Sequence, residues 1–355
     1  MMGSFPKVSA VWRPSTWYTS VRLFLATFGG ALLALYIVIV VVDPYGVVPF
    51  SPPFERPLVS SQRQMYPQIL RTGRYDSIVV GTSTSKLLDP AALGRVLGGH
   101  FATFAMAQAT AREQVEILDY FARTVPAPRV VLIGVDHEWC YRNGTAGVRE
   151  REFPSWAYDG DRWNDLLYLL NGPTLESALH ALGSMMGRYP AHLRADGFEG
   201  DSPRDAIYDV SLARQVIAAG EPRAVRDALA LSEADPDAIA FEALPWLDGA
   251  LAALPAETRK ILVFPPVDAR ALPAAGSHAE AMDNECKRRV TVIARRLGAI
   301  LVDFRLVSPL TTEDANFWDL IHYRLGVGYR LIDDIGRSVK EGRDPEDGHY
   351  RILVR

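Results

Sequence analysis

Two cysteines in 355 residues, Cys140 and Cys286, are too few for a disulfide-built scaffold, and no Cys-x-x-Cys or His-Glu-x-x-His occurs. A zinc module therefore lacks a recognisable ligand set, and no metal or cofactor is expected. Basic excess is missing too: 38 Lys and Arg stand against 42 Asp and Glu, a net charge of -4. That balance offers no electrostatic footprint for nucleic acid, so no such partner is expected. No internal repeat is present. The sharpest absence is local: from Leu23 to Val42 there is no charged residue at all.

That run of about 20 residues, at ~1.5 Å per residue, matches a ~30 Å hydrocarbon layer. A cleaved signal peptide has a shorter apolar core, roughly 7–15 residues, and ends in small residues. This run instead exits into Asp43-Pro44-Tyr45-Gly46, so a retained anchor over 23–42 is expected. Lys7, Arg13 and Arg22 precede it, whereas Asp43 and Glu55 come before the first basic residue beyond it, Arg56. Positive charge stays inside, so residues 1–22 are expected in the cytoplasm. The main domain is then extracytoplasmic, on the periplasmic face of an inner membrane. Tyr45 and Phe50 are candidates for the outer interface.

What the chain does have is 48% apolar residues, enough for a sizeable core. Residues 43–73, opening with Pro49, Pro52, Pro53 and Pro57, read as a linker. Then short buried strands (76–81, 100–106, 129–135, 260–265, 299–304) alternate with amphipathic helices (90–97, 110–123, 280–297, 329–339). The second of these helices opens with a capping box, Thr110 and Glu113. This alternation predicts an α/β domain over 74–345, its parallel sheet covered by helices on both faces. The rhythm breaks over about 141–257, read as a mainly helical insertion with helices near 163–170, 174–186, 203–219 and 235–254. Residues 346–355 read as a tail. Cys286 falls on the apolar face of the 280–297 helix, which suits a buried thiol as well as a disulfide to Cys140, and the choice stays open.

Sites in parallel sheets gather where strands end. The first strand runs into Gly81-Thr82-Ser83-Thr84-Ser85, and Asp319-Leu320-Ile321-His322 precedes the last helix. A serine needs a base to become a nucleophile, and the base needs an acid to orient it. Ser83-Thr84-Ser85-Lys86 is also Ser-x-x-Lys, as in penicillin-binding proteins and serine β-lactamases, but the Lys-Thr-Gly and Ser-Asp-Asn partners are missing. Asp136-His137-Glu138, at another strand's end, suits structural or substrate contacts better than a metal, because adjacent residues of an extended chain point apart. Trp139, Trp156, Trp163 and Trp246 are either core or a sugar platform. Asn143-Gly144-Thr145 is an acceptor sequon only in a glycosylating pathway.

A serine after the first strand, with Asp-x-x-His before the last helix, resembles the SGNH (GDSL-like) hydrolase superfamily. Asp43-Pro44-Tyr45-Gly46 after the anchor, Gly81-Thr82-Ser83, Phe264-Pro265-Pro266 and Phe317-Trp318-Asp319-Leu320-Ile321-His322-Tyr323 resemble its membrane-anchored branch. That branch modifies bacterial cell-surface polysaccharides, as in alginate O-acetylation and D-alanine transfer to teichoic acids. The resemblance covers about 40–140 and 258–340. It implies Ser83 as nucleophile, His322 as base and Asp319 as its orienter. Gly81 permits the turn, Gln108 falls where the family offers a glycine N–H, and Asp136 falls near where it offers an asparagine. A carboxylate does not donate to an oxyanion unless protonated. The expected function is serine esterase or O-acyltransferase chemistry on a cell-surface glycan. The alternative is a non-catalytic or weakly catalytic partner presenting glycan to a multipass membrane acyltransferase, with Gly29-Gly30 as a helix-packing notch.

Overall fold

The computed structural model describes residues 14–51, 56–140, 153–200, 205–220 and 240–355. Lys7, Arg13, Pro52, Pro53, Glu55 and the Asn143 sequon lie outside them. Six strands form one sheet in the order β2-β1-β3-β4-β5-β6. They are β1 (Ser77–Gly81), β2 (Phe101–Ala105), β3 (Val130–Gly134), β4 (Arg259–Phe264), β5 (Ile300–Asp303) and β6 (Arg351–Val354). The first five are parallel; β6 runs antiparallel to β5. The expected tail is thus the sixth strand. Without it β5 would present a row of unpaired backbone groups at the sheet edge.

The Val/Ile-rich strands are buried on both faces, and their side chains alternate between two cores. Ile78, Val80, Val131, Ile133, Leu262 and Phe264 face one core; Val79, Val130, Leu132, Ile261 and Val263 face the other. The described residues also form ten helices. In chain order α1 is Pro14–Val42, α2 Gln62–Arg71, α3 Pro90–Leu97, α4 Ala111–Thr124, α5 Ser155–Tyr158, α6 Gly172–Met185, α7 Val210–Ala219, α8 Ala243–Ala252, α9 His278–Arg296 and α10 Leu325–Glu341. The expected capping box forms in α4: Glu113 N–H donates to Thr110 Oγ1 at 3.2 Å, and Thr110 N–H to Glu113 Oε2 at 2.7 Å.

Three further boundaries differ from expectation. α1 starts at Pro14, a residue whose missing N–H is harmless in a first turn. Its stretch Trp17–Val42, whose most apolar 18 residues have a mean hydropathy of 2.6, is long enough to cross a membrane. The expected linker is folded: Asp43, Tyr45, Val47 and Val48 are buried, and α2 buries Met65, Tyr66, Ile69 and Leu70. Tyr45 therefore sits in the core, its hydroxyl 3.2 Å from Ser177 Oγ, while Phe50 stays exposed. Proline marked irregular backbone here, and burial made it structure. Finally α8, expected inside the insertion, packs on α4 as the crossover between β3 and β4, burying Leu244, Leu247 and Leu251. What remains of the insertion divides its contacts: α6 packs on α1, and α7 lies against the 310 turn Asp314–Asn316.

Candidate active site

The order β2-β1-β3 places the topological switch point beside β1, and the loops leaving β1, β2 and β3 meet there. After Gly81 the chain makes tight turns rather than a continuous helix: Ser85 N–H bonds Thr82 C=O, and Leu88 N–H bonds Ser85 C=O. Gly81 does not have the positive φ of a glycine-only turn. Its value is space, since a Cβ on Gly81 or on Gly134 of β3 would run into the Ser85 hydroxyl. Ser85 is wedged between the two strands, and this lifts Ser83 to the sheet's rim.

Asp136 holds the same turn from below. It is buried, and its carboxylate accepts from Thr82 N–H (3.3 Å), Thr82 Oγ1 (2.7 Å) and Thr84 Oγ1 (2.7 Å). Burial pushes its carboxyl pKa up, against those bonds and the Arg305 charge. Its oxygens are committed to the residues flanking Ser83, so it holds the turn that carries Ser83.

Ser83, His322 and Asp319 converge. Ser83 Oγ lies 2.9 Å from His322 Nε2, and His322 Nδ1 lies 2.7 Å from Asp319 Oδ2. The other carboxylate oxygen of Asp319 accepts from Ile321 N–H and His322 N–H, both at 2.8 Å. Burial alone would raise Asp319; the His322 bond and charge and the two N–H groups outweigh it and hold the carboxyl below its ordinary value. The loop is a closed hairpin, with Phe317 bridging Tyr323 and Trp318 N–H bonding His322 C=O at 2.8 Å. Tyr323 links the two halves of the site. Its buried phenol donates to Thr84 C=O. Burial and the Asp136 charge push its pKa up, so the proton stays in place. Sequence reasoning passed over Tyr323, although its place beside His322 was a signal.

Ser83 and His322 separate two cavities. One, of about 300 Å³, is lined by Gln108, Asp136, His137, Glu138, Pro265 and Arg305. The other, of about 420 Å³, is lined by Lys86, Leu87, Val216, Trp318 and Asp319. Gln108 is exposed toward the first and adopts φ 55°, in the turn closed by Ala109 N–H to Met106 C=O (3.1 Å). A left-handed backbone favours glycine, so the conformation at Gln108 is one that glycine would adopt freely. Arg305 is a second residue missed from sequence. It is buried, stacks over Phe264 at 4.8 Å and pairs with Asp283 at 3.0 Å. Its Nε has no hydrogen-bond partner among the described residues.

Competing motifs resolve differently. Lys86 Nζ is paired with Glu199 at 2.6 Å. Trp139 is fully buried and donates to Gln114, Trp246 packs on the core, and Trp156 stacks on Tyr168. Trp318, not any of these, lines a cavity beside Ser83. Among the described residues no three His, Cys, Asp or Glu side chains form a metal-binding group. Cys140 and Cys286 are bonded, pinning the 310 turn His137–Cys140 at the cavity lip to α9. No protein-family model matches this chain, and no curated protein matches it.

Proposed function

We propose that this chain is a membrane-anchored serine esterase or O-acyltransferase of SGNH-like type, acting on a cell-surface glycan outside the cytoplasm. The observation that carries the reading is the continuous relay from Ser83 Oγ through His322 to Asp319. Neutral His322 takes the hydroxyl proton on Nε2 as Ser83 Oγ attacks an ester carbonyl. Asp319 holds the Nδ1–H tautomer and stabilises the imidazolium. The tetrahedral adduct collapses, His322 protonates the departing alcohol, and an acyl-Ser83 remains. A sugar hydroxyl or water then gives up its proton to His322 and takes the acyl group, and as the acyl–Oγ bond breaks His322 returns that proton to Ser83 Oγ. Cavities on both sides of Ser83 suit a donor on one side and an acceptor on the other. Ser83 N–H and Gln108 N–H are the oxyanion donors in this scheme. The Cys140–Cys286 bond suits an oxidising compartment, and α1 suits the anchor.

The test is turnover of an activated acetyl ester. Ser83→Ala and His322→Ala should each lower kcat by ~10² or more, and the double variant should lose little further, because such residues act as a unit. Multiplying losses, or a Ser83→Ala protein that turns over normally, would remove the relay from the mechanism.

A second reading is a glycan-presenting partner of a multipass membrane acyltransferase. It is favoured by Gly29 and Gly30, where a Cβ would meet nothing within 4 Å, an open notch suited to another helix. Co-purification of full-length protein with a multipass partner, lost on Gly29→Leu, would support it. Recovery of the protein alone, with cell-surface acylation unchanged after deletion, would end it.

A further inference from the structure

α1 is longer than a bilayer requires. Trp17–Val42 comprises 26 residues, ~39 Å of helix against a hydrocarbon core of ~30 Å. Trp17 and Tyr18, exposed at its start, are the residue types that collect at a membrane interface. The charge-free run Leu23–Val42 is ~30 Å long and ends at Val42, so Tyr36 and Ile37 lie ~8–9 Å inside the opposite boundary. At that level the helix is half covered. Tyr36 OH donates to Leu166 C=O at 3.0 Å and Ile39 is buried, while Ile37 and Val41 remain exposed.

The segment met there buries its acid and exposes two of its four leucines. In Trp163–Leu170 the acid, Asp165, is fully buried near Arg71, whereas Leu167 is 82% exposed and Trp163 67% exposed. Tyr168 and Leu170 also face outward, and Phe50 lies 6.4 Å, ring to ring, from Trp163. Water selects the opposite arrangement, polar out and leucine in. Beside a spanning helix, at a depth of ~5–10 Å below the headgroups, this arrangement is the stable one.

Resting on the reading of α1 as a spanning helix, we infer that Phe50, Trp163, Leu167, Tyr168 and Leu170 form a collar inserted into the lipid interface of the leaflet from which α1 emerges. The domain is then held at two places rather than pivoting on one helix, which sets the height and direction of the Ser83 cavities relative to the surface.

The test uses the full chain in vesicles of phosphatidylcholine brominated high on the acyl chains. The fluorescence difference between wild type and Trp163→Phe isolates Trp163, whose exposure makes that change harmless to folding. An indole ~5–10 Å below the headgroups should lose about half its signal or more. Leu167→Asp with Leu170→Asp should abolish that quenching. Alkaline carbonate extraction of the same vesicles checks α1 separately. Protein that stays in the membrane with Trp163 unquenched overturns the collar and leaves the anchor standing; water, a second copy or another protein then covers that face. Quenching that survives the double aspartate change also overturns it. Protein extracted by carbonate overturns the anchor and the collar together.

Discussion

Gln108 shows how much one backbone angle can reveal. A non-glycine residue at φ 55° carries strain of ~1–2 kcal/mol relative to glycine. If its N–H is the oxyanion donor, the side chain contributes nothing that glycine lacks. Gln108→Gly is therefore expected to raise the thermal midpoint while keeping ester turnover within a few-fold of wild type. A drop of ~10² would assign the donor to the side-chain amide instead. Ser83, His322 and Asp319 were readable as a candidate group because proton relay needs those residue types and because Asp-x-x-His spacing closes a hairpin. Asp136 was visible as a residue but not as a function. Its task depends on Thr82 and Thr84 reaching it across 52 to 54 positions of chain.

Elements bring these residues within reach, and their packing is close. A Cβ on Gly328 would lie 2.5 Å from the carbonyl oxygen of Leu87, so the first turn of α10 rests directly on the loop that carries Ser83. Backbone does not yield as a flexible side chain does. Gly328→Ala is expected to destabilise the fold by ~1–3 kcal/mol and to lower ester turnover with it, read by calorimetry and kinetics. The disulfide joins residues 146 apart. Replacing both Cys140 and Cys286 by Ser should cost ~2–5 kcal/mol in denaturant titration. Helices and strands of the α/β frame were legible where periodicity was strong and caps were explicit, as in α4. Residues 43–73 and 346–355 were not. Their burial comes from partners distant in sequence: Ser177 for Tyr45 and Leu301 for Val354.

For the molecule as a whole, one buried charge gives a pH dependence of known sign. Burial pushes Asp165 from 3.8 up to about 7, against the attraction of Arg71. The folded state therefore binds this proton more tightly than the unfolded chain, and the contribution of Asp165 to stability falls as pH rises from 3.8 toward about 7. Asp165→Asn should flatten that part of the stability curve in detergent-solubilised full-length protein; an unchanged slope would assign the dependence elsewhere.

The α/β class, the long apolar helix at the N-terminus and the residue types of the candidate relay were all present in the linear sequence. Each depends on local periodicity, composition or chemical necessity, which neighbouring residues express by themselves. Convergence of Ser83 with His322, the use of Asp136 and Tyr323 as braces, the bond between Cys140 and Cys286, and the outward-facing leucines beside α1 came only with the folded chain. Each joins residues far apart in sequence, and a contact of that kind exists only once the sheet order has brought them together.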